Sequence, residues 1–397
     1  MLDWLGFKPT PRKFAHALMD FARNRGFDEP MRFDPAGFRI LTGASEAGVV
    51  NLTNLYPDYR DAPRAARTRH LERYFSLFGD TPLPASFEEA KPNLLPAIRA
   101  RSYFESVRLN AINEGTAWIG TAGTLLGGDA VTMVAYDRDE SMTILTAHQL
   151  AQWGVSHAVA LEAALDNLRD ISGDRFILRS DGVTVGNWND VYDSSRLLLP
   201  DLIHRAGVTN PVAMVPTRGV LLLAPANDRA ALLAMLDLAH TAYEQEGRSV
   251  SASMFQLKHA VPENYIPEDA EIARRANAFR QIYLADDYAA QKQFLDALHE
   301  KQGKDIFVAS FVRARSDNGD DEFSICTWTE SVDSLLPVTQ KVALVRMDDN
   351  GEPQRAGIVD WEQVGAVAGH LMELQADTFP TRYRVTGFPD LGLLGAR

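Results

Sequence analysis

One short segment of the sequence has residue types that could bind an anion: Tyr192-Asp193-Ser194-Ser195-Arg196. Asp193 or Ser194 is a typical residue for the start of a helix, and the backbone N–H groups of Ser195 and Arg196 would then face outward, where the helix dipole favours an anion. Arg196 would add a fork of donors, and Tyr192 an aromatic wall. The pattern is compatible with an anion-binding helix terminus, but it favours a structural cap in which Asp193 pairs with an arginine, because such caps are common.

Two more arginines are predicted to lie near this segment. Residues 94–103 have the pattern of a strand, in which Arg99 and Arg101 lie on the same side because side chains alternate along a strand. Both could converge on the helix start. The predicted ligand-binding residues are therefore Tyr192, Asp193, Ser195, Arg196, Arg99 and Arg101.

Nucleophilic catalysis has little support in the sequence. Ser194 or Ser195, with Asp193 and His204, would supply the residue types of a Ser–His–Asp site. In a helix over residues 196–205, however, His204 would lie about two turns from the first turn, too far for a hydrogen bond. There is also no G-x-S-x-G turn. Catalytic residues stay unknown, and whether the chain is an enzyme stays open.

The sequence predicts neither a metal nor a cofactor. The nine histidines include no HxH or HxxxH pair, and one cysteine cannot supply the paired ligands of a zinc site. The glycine-rich residues 120–128 lack the Gly-Lys-Ser/Thr ending of a phosphate-binding loop, so a turn is predicted there. Cys326 lies in a strand-like run and is predicted to be a buried, inert thiol.

Composition restricts the class of partner. The 397 residues carry a net charge of -13, and an acidic surface repels nucleic-acid backbones and anionic membranes. The arginines of residues 64–69 fit the solvated face of a helix better than a nucleic-acid patch. The longest apolar run, residues 219–226, is too short to cross a bilayer, and no signal peptide is recognisable. We therefore expect a cytoplasmic protein without a nucleic-acid or membrane partner, whose oligomeric state the sequence leaves open.

Helices and strands come in clusters, which predicts an α+β fold. Three domains are expected: an α-β-β-α unit over residues 1–81, a central α+β domain over residues 93–265, and a C-terminal domain over residues 266–397. In the last domain a four-stranded meander is expected between flanking helices, with hairpin turns at Asn318-Gly319 and Asn350-Gly351. The helices predicted for it cover residues 270–284, 289–301 and 361–374.

Several segments resemble those of a known family. They are LPAIRARSY at residues 95–103, Trp153-Gly154 with the helix that follows it, NLR at residues 167–169, NDVYDSSR at residues 189–196 and VPTRGVL at residues 215–221. In order and spacing they are similar to the YtpQ-like family of uncharacterised bacterial proteins. The resemblance implies the family's fold but carries no established activity.

The resemblance covers roughly residues 12–266 and leaves the C-terminal third outside. Val191 stands where the family usually has glycine, and Gly219 where an aspartate is usual. From residues and resemblance together we expect a non-catalytic binding module for a protein partner or a small anionic ligand. The alternative is a hydrolase or transferase that acts on a phosphate- or carboxylate-bearing substrate at the same place.

Overall fold

A computed structural model describes residues 8–35, 37–42, 48–53, 55–78, 83–116, 118, 120, 122–138, 142–246, 249–315, 322–348 and 353–395. By its internal contacts the chain divides into two compact units. The first takes in Met1–Asn93 and Tyr136–Thr143, and the second Leu94–Ala135 and Ile144–Arg397. Helices and antiparallel or mixed sheets occur throughout the described residues, which confirms the predicted α+β class.

Where the sequence predicts an α-β-β-α unit, the described residues of the first unit form three strands and four α-helices. Its three-stranded sheet has the order β1-β2-β3, with antiparallel neighbours. Phe14 and Leu18 of the first helix and Ile40 of the sheet form its buried core. Its elements are α1 (Pro11–Asn24), β1 (Met31–Asp34), β2 (Arg39–Thr42), β3 (Gly48–Asn51), α2 (Tyr56–Asp61), α3 (Arg67–Phe75) and α4 (Phe87–Ala90).

The second unit begins with two sheets. The first has the order β4-β6-β5, and the short strand β7 pairs with β6; the second has six antiparallel strands in the order β13-β12-β10-β11-β9-β8. The elements are β4 (Leu94–Ala100), α5 (Arg101–Glu114), β5 (Thr124–Leu126), β6 (Ala130–Asp137), β7 (Met142–Ile144), α6 (Ala147–Gln152), α7 (His157–Asp170), β8 (Phe176–Leu178), β9 (Thr184–Gly186), α8 (Pro200–Arg205), β10 (Pro211–Met214), β11 (Leu222–Pro225), α9 (Arg229–Gln245), β12 (Met254–Lys258) and β13 (Val261–Asn264).

One long helix, α10 (Ala270–Gln302), replaces the two helices predicted for residues 270–284 and 289–301. Asp269 caps its start by accepting from two backbone N–H groups, and Gly303 ends it in the left-handed conformation at φ 62°. The acidic pair Asp286-Asp287 lies in the gap between the two predicted helices. Tyr283 and Tyr288, on either side of this pair, are both buried, so packing carries the helix through it.

The C-terminal region contains two four-stranded sheets, ordered β15-β16-β18-β19 and β14-β17-β21-β20. The predicted meander is wrong in one respect: β16 and β18 pair in parallel, because β17 between them lies in the other sheet. Both predicted Asn-Gly turns lie outside the described residues. The elements are β14 (Phe307–Val308), β15 (Val312–Arg315), β16 (Glu322–Thr329), β17 (Ser334–Pro337), β18 (Lys341–Met347), β19 (Pro353–Asp360), α11 (Trp361–Ala368), β20 (Met372–Gln375) and β21 (Arg382–Val385).

Helix α11 is shorter than the helix predicted for residues 361–374, because the chain turns at Gly369 and continues as strand β20. Cys326 is buried at 2% exposure, and burial raises the pKa of its thiol to about 11. Among the helices in the described part of the chain, none is long and apolar enough to cross a membrane.

Candidate functional site

Arg196 lies in residues 188–196, which we call the closed loop because hydrogen bonds to Asp190 and Asp193 connect its two ends. Its side chain is fully buried, and its Nη1 and Nη2 atoms donate to Asp190 Oδ1 at 2.8 Å and Oδ2 at 2.6 Å. Nε donates to Ser172 Oγ at 2.8 Å, and the guanidinium lies 4.4 Å from the centre of the Trp188 ring. All three donor nitrogens therefore have an internal partner. Such a pair stabilises a loop because the buried charge is matched and hydrogen-bonded on site.

Asp193 closes the same loop from the other side. It is 1% exposed, and its two carboxylate oxygens accept from the backbone N–H groups of Trp188 at 3.0 Å and Asp190 at 3.4 Å. Burial and the nearby charge of Asp190 raise the pKa of Asp193. Burial alone would raise the pKa of Asp190 as well, but the hydrogen bonds and charge of Arg196 outweigh it, so that pKa lies below its ordinary value.

The N–H groups predicted to face an anion are already used. Ser195 N–H donates to Tyr192 O at 3.0 Å and Arg196 N–H to Asp193 O at 3.2 Å, within the 3₁₀ turn Ser194–Leu198. The helix predicted for residues 196–205 is this turn followed by α8, which begins only at Pro200. Ligand binding by Tyr192, Asp193, Ser195 and Arg196 stays a prediction, while every contact seen for them here is structural.

Arg99 and Arg101 do not share a strand face. Arg99 is buried near the end of β4 and donates from Nη1 to Ile98 O at 2.8 Å. Arg101 is the first residue of α5, so the strand predicted for residues 94–103 ends three residues early. The Arg101 guanidinium lies 4.4 Å from the ring centre of Phe379. The two arginines therefore have separate surroundings.

The segments that resemble the YtpQ-like family contact one another in the second unit. Ile98 N–H donates to Ser195 Oγ at 3.3 Å, so β4 is joined to the closed loop. Ser194 N–H donates to Arg218 O at 3.2 Å, which joins the loop to residues 215–221. A role in holding the fold together accounts for these motifs without a ligand.

The two positions that depart from the predicted family pattern are Val191 and Gly219. Val191 has φ 64°, a left-handed conformation in which a β-branched residue is an outlier, and it is 43% exposed. A Cβ on Gly219 would lie 3.5 Å from both carboxylate oxygens of Glu246. An aspartate at position 219 would therefore bring two carboxylates together in this chain.

The second unit contains an open cleft of about 580 Å³ beside α5, which we call the α5 cleft. Its lining combines two arginines and two carboxylates with aromatic and aliphatic side chains. A volume of this size is typical of small-molecule sites, which are concave and mostly apolar with a few polar groups. The lining residues are Arg101, Phe104, Glu105, Arg108, Trp118, Gly123, Leu125, Val131, Ala376, Asp377, Thr378 and Phe379.

Helix α5 places the charged groups of the cleft. Arg101, Glu105 and Arg108 follow one another at spacings of four and three residues, so they share one face of the helix. The helix starts directly after β4, with Arg101 N–H donating to Asp129 O at 2.8 Å, and ends at Gly115, whose φ is 72°. The short connection to the sheet fixes the direction in which this face points.

Arg108 and Glu105 form an ion pair with two hydrogen bonds. Arg108 Nε and Nη2 donate to the two carboxylate oxygens of Glu105, each at 2.8 Å. The Glu105 side chain is 5% exposed and the Arg108 side chain 22%. Hydrogen bonding to Glu105 raises the pKa of Arg108, and the charge of Asp377 acts in the same direction. The charge of Arg108 is thus matched by carboxylates inside the cleft.

Arg101 is different. In the described part of the chain no carboxylate lies within ion-pair distance of its guanidinium, whose recorded side-chain contact is the Phe379 ring. Stacking on a ring uses the face of a guanidinium and leaves its N–H edges for an acceptor. Among the described residues, the α5 cleft therefore contains one cation without a carboxylate partner, and it lies beside an aromatic surface.

Gln291 of α10 links the floor of the cleft to its opposite wall. Its side-chain amide donates to Pro380 O at 2.9 Å and lies 3.5 Å from Glu105 Oε1, while its oxygen accepts from Arg382 Nε at 2.6 Å. Thr378 in the wall accepts from Arg382 N–H at 3.3 Å. Arg382 itself is fully buried, and burial lowers its pKa to about 10. Both sides of the cleft are thus held by buried polar contacts.

Other candidate places offer less chemistry. A depression of about 690 Å³ beside α8 has His204 as its only titratable side chain among the described lining residues. A group of hydroxyls surrounds Asp129, whose carboxylate accepts from Ser251 Oγ at 2.8 Å and Ser253 Oγ at 3.1 Å. Within the described ranges, no three His, Cys, Asp or Glu side chains are grouped so that they could hold a metal ion.

Comparison with protein-family models, with curated proteins and with solved structures finds no match in any of the three. The resemblance of residues 12–266 to the YtpQ-like family therefore stays a prediction, and the function has to be argued from geometry.

Of the six predicted residues only Arg101 lines the α5 cleft. Sequence reasoning missed the rest of the lining. One signal was present: Arg101, Glu105 and Arg108 have helical spacing, but it was hidden because residues 94–103 were assigned to a strand. Trp118 and Phe379 carry no local pattern that joins them to this helix. Only the tertiary fold brings them there.

Proposed function

We propose that this protein is a non-catalytic binding module for a small organic anion, which it holds in the α5 cleft. The observation that carries the proposal is the Arg101 guanidinium, which lines a cavity of about 580 Å³ without a carboxylate partner among the described residues. An anion placed there would gain charge-assisted hydrogen bonds.

The aromatic lining supports the same proposal. Phe104 is 8% exposed and backs the cleft, while Phe379 and Trp118 line its sides. Buried or half-buried rings beside one cation suit a ligand with a charged end and an apolar body. Gln291 contacts both the floor and the wall, so the fold itself holds the lining in place.

The hydrolase or transferase alternative needs a nucleophile or an acid–base group beside the bound anion. The described lining contains no serine, cysteine, histidine or lysine. The Glu105 carboxylate is held by two hydrogen bonds from Arg108, and the Thr378 hydroxyl donates to Gln375 O at 2.8 Å, which leaves the exposed Asp377 as the acid–base candidate, with no nucleophile paired to it. Binding is therefore the better-supported function of this cleft.

A thermal-shift panel of small organic carboxylates, phosphates and sulfonates tests the proposal. At least one class should raise the Tm of the full-length protein by a few degrees at concentrations about tenfold above Kd or more. Arg101→Gln should abolish that shift, whereas Arg175→Gln, a change of an exposed arginine outside the cleft, should leave it intact. A ligand profile that is the same in Arg101→Gln and the wild type would disprove the proposal.

A further inference from the structure

We infer that the α5 cleft selects anions by charge, and that its ligand is a monocarboxylate with an apolar body rather than a phosphate ester or a polyphosphate. This inference rests on the proposed binding function and names the chemical class of its ligand.

The charges that line the cleft carry the inference. Two guanidinium groups face two carboxylates, Glu105 and Asp377, so the described lining is neutral as a whole. Glu105 holds Arg108 through two hydrogen bonds, and the charge of Asp377 also acts on Arg108. Arg101 is then the one lining cation in the described chain that has charge to offer. One charge matches one anionic group.

A second negative charge on the ligand would meet repulsion. Phosphoryl sites usually combine several cations or a metal ion to balance their ligand. In the α5 cleft a dianion would have to displace Glu105 from Arg108 or lie near Asp377 with its second charge unmatched. Glu105 is 5% exposed at its side chain and is also in contact with Gln291, so its displacement would leave a buried carboxylate without its cation.

The shape of the cation favours a carboxylate. A guanidinium presents parallel N–H donors that match the two oxygens of a planar carboxylate. The Arg101 guanidinium is already oriented by the Phe379 ring at 4.4 Å. Phe104, Trp118 and Leu125 then offer apolar surface for the body of the ligand, and Leu125 is 60% exposed.

Matched probes test charge selectivity in the full-length protein. 3-Phenylpropionate carries one charge, 3-phenylpropanamide none, and phenyl phosphate two at about pH 8, because the second pKa of a phosphate monoester is about 6. By titration calorimetry, 3-phenylpropionate should bind about tenfold more tightly than phenyl phosphate, and the amide should bind least.

Two variants test which side chains produce the difference in affinity between 3-phenylpropionate and phenyl phosphate. Asp377→Asn changes an exposed side chain and removes one repelling charge, so it should narrow the difference between the two anions several-fold. Arg101→Lys keeps the charge but loses the paired donors, and should weaken 3-phenylpropionate more than phenyl phosphate.

The outcomes separate the two proposals. If phenyl phosphate binds as tightly as 3-phenylpropionate or more tightly, and Arg101→Gln abolishes both, charge selectivity is wrong and the binding function stands. If no probe binds, or if binding persists in Arg101→Gln, the α5 cleft is not an anion site and both proposals fail. A selectivity that is unchanged in Asp377→Asn would also overturn the electrostatic explanation.

Discussion

Arg196 and Arg101 lie in the same compact unit but have opposite surroundings. Arg196 is fully buried and has a carboxylate, a hydroxyl and an indole ring around its guanidinium. Arg101 lines an open cleft, and a ring is its recorded side-chain contact. Arg196 belongs to the more suggestive sequence motif, yet Arg101 has the geometry of a binding group. The sequence motif around Arg196 marks residues that hold the fold together. The candidate binding site is marked instead by Arg101, whose charge no carboxylate of the described residues matches.

The largest loss of stability is expected from a change at Asp190, which pairs with the buried Arg196. Asp190→Asn keeps the size of the side chain but removes the charge that compensates Arg196. Breaking a buried pair from one side costs about 3–5 kcal/mol, and the lower end is expected because the Asp190 side chain is 37% exposed. Urea unfolding should show this loss. The protein's binding of the organic anion should persist wherever it remains folded.

The control for this change is an exposed pair in the same unit. Arg205 and Asp174 are joined at 2.8 Å with side chains 43% and 57% exposed. Asp174→Asn should cost no more than about 1 kcal/mol, because solvent screens such a pair. Equal losses in the two variants would mean that the closed loop has no special dependence on its ion pair.

The difference in stability between the wild type and Asp190→Asn should also depend on pH. The folded pKa of Asp190 lies below its unfolded value of about 3.9, so its contribution is fully present above that value and disappears as the pH falls through the folded pKa. The stability difference between wild type and Asp190→Asn should therefore be constant from neutral pH to about pH 5 and should shrink below about pH 4. Asp193, whose pKa is raised by burial and by the charge of Asp190, contributes with the opposite sign; the part due to burial cancels when the variant is subtracted, so the difference and not the wild-type curve has to be measured. A difference that grows on acidification would contradict the assigned pair.

Local signals predicted much of the fold. Ser156 caps α7 as its type predicts, and Asp228 is the one of the two candidate caps, Asn227 and Asp228, that caps α9. Strands β10 and β11 pair as the hairpin predicted for residues 211–224. Helix α5 escaped prediction because Ala100 at its start offers no side-chain cap and the apolar strand runs directly into Arg101. Packing sets the start of this helix, and no residue type near Arg101 marks it in the sequence.

The partners of Arg196 and Arg101 also differ in how far they could be predicted from the sequence. Asp190 lies six residues from Arg196, so a structural ion pair within the segment was open to prediction. Phe379 lies at the far end of the chain from Arg101, and α10 links the two regions because its Gln291 contacts Glu105, Pro380 and Arg382. Sequence reasoning therefore named the right segment but paired the arginine with Asp193 instead of Asp190, and it missed the open cleft.

A change at Arg101 should have the opposite pattern of effects to Asp190→Asn, with little loss of stability and a complete loss of anion binding. Arg101→Gln removes a ring contact and no recorded carboxylate partner, so its cost to stability should stay within about 1 kcal/mol, the usual value of a cation–π contact. Its effect on anion binding should instead be complete. Urea unfolding and titration calorimetry on the same preparation measure both quantities. A loss of stability comparable to that of Asp190→Asn would place Arg101 among the structural arginines.

The smallest expected effect concerns the backbone of the closed loop. Val191 at φ 64° holds a conformation that costs an L-residue about 1–2 kcal/mol, whereas glycine adopts it freely but loses about 0.5–1 kcal/mol of chain entropy on folding. Because Val191 is 43% exposed, little packing is lost, and Val191→Gly should raise stability by roughly 0.5 kcal/mol. Val191→Ala removes the branch but keeps the Cβ, so it should recover less. If alanine stabilises as much as glycine, the cost at this position comes from the branched side chain and not from the left-handed backbone. If neither does, the hydrogen bonds around Asp190 and Asp193 leave this residue no strain to release.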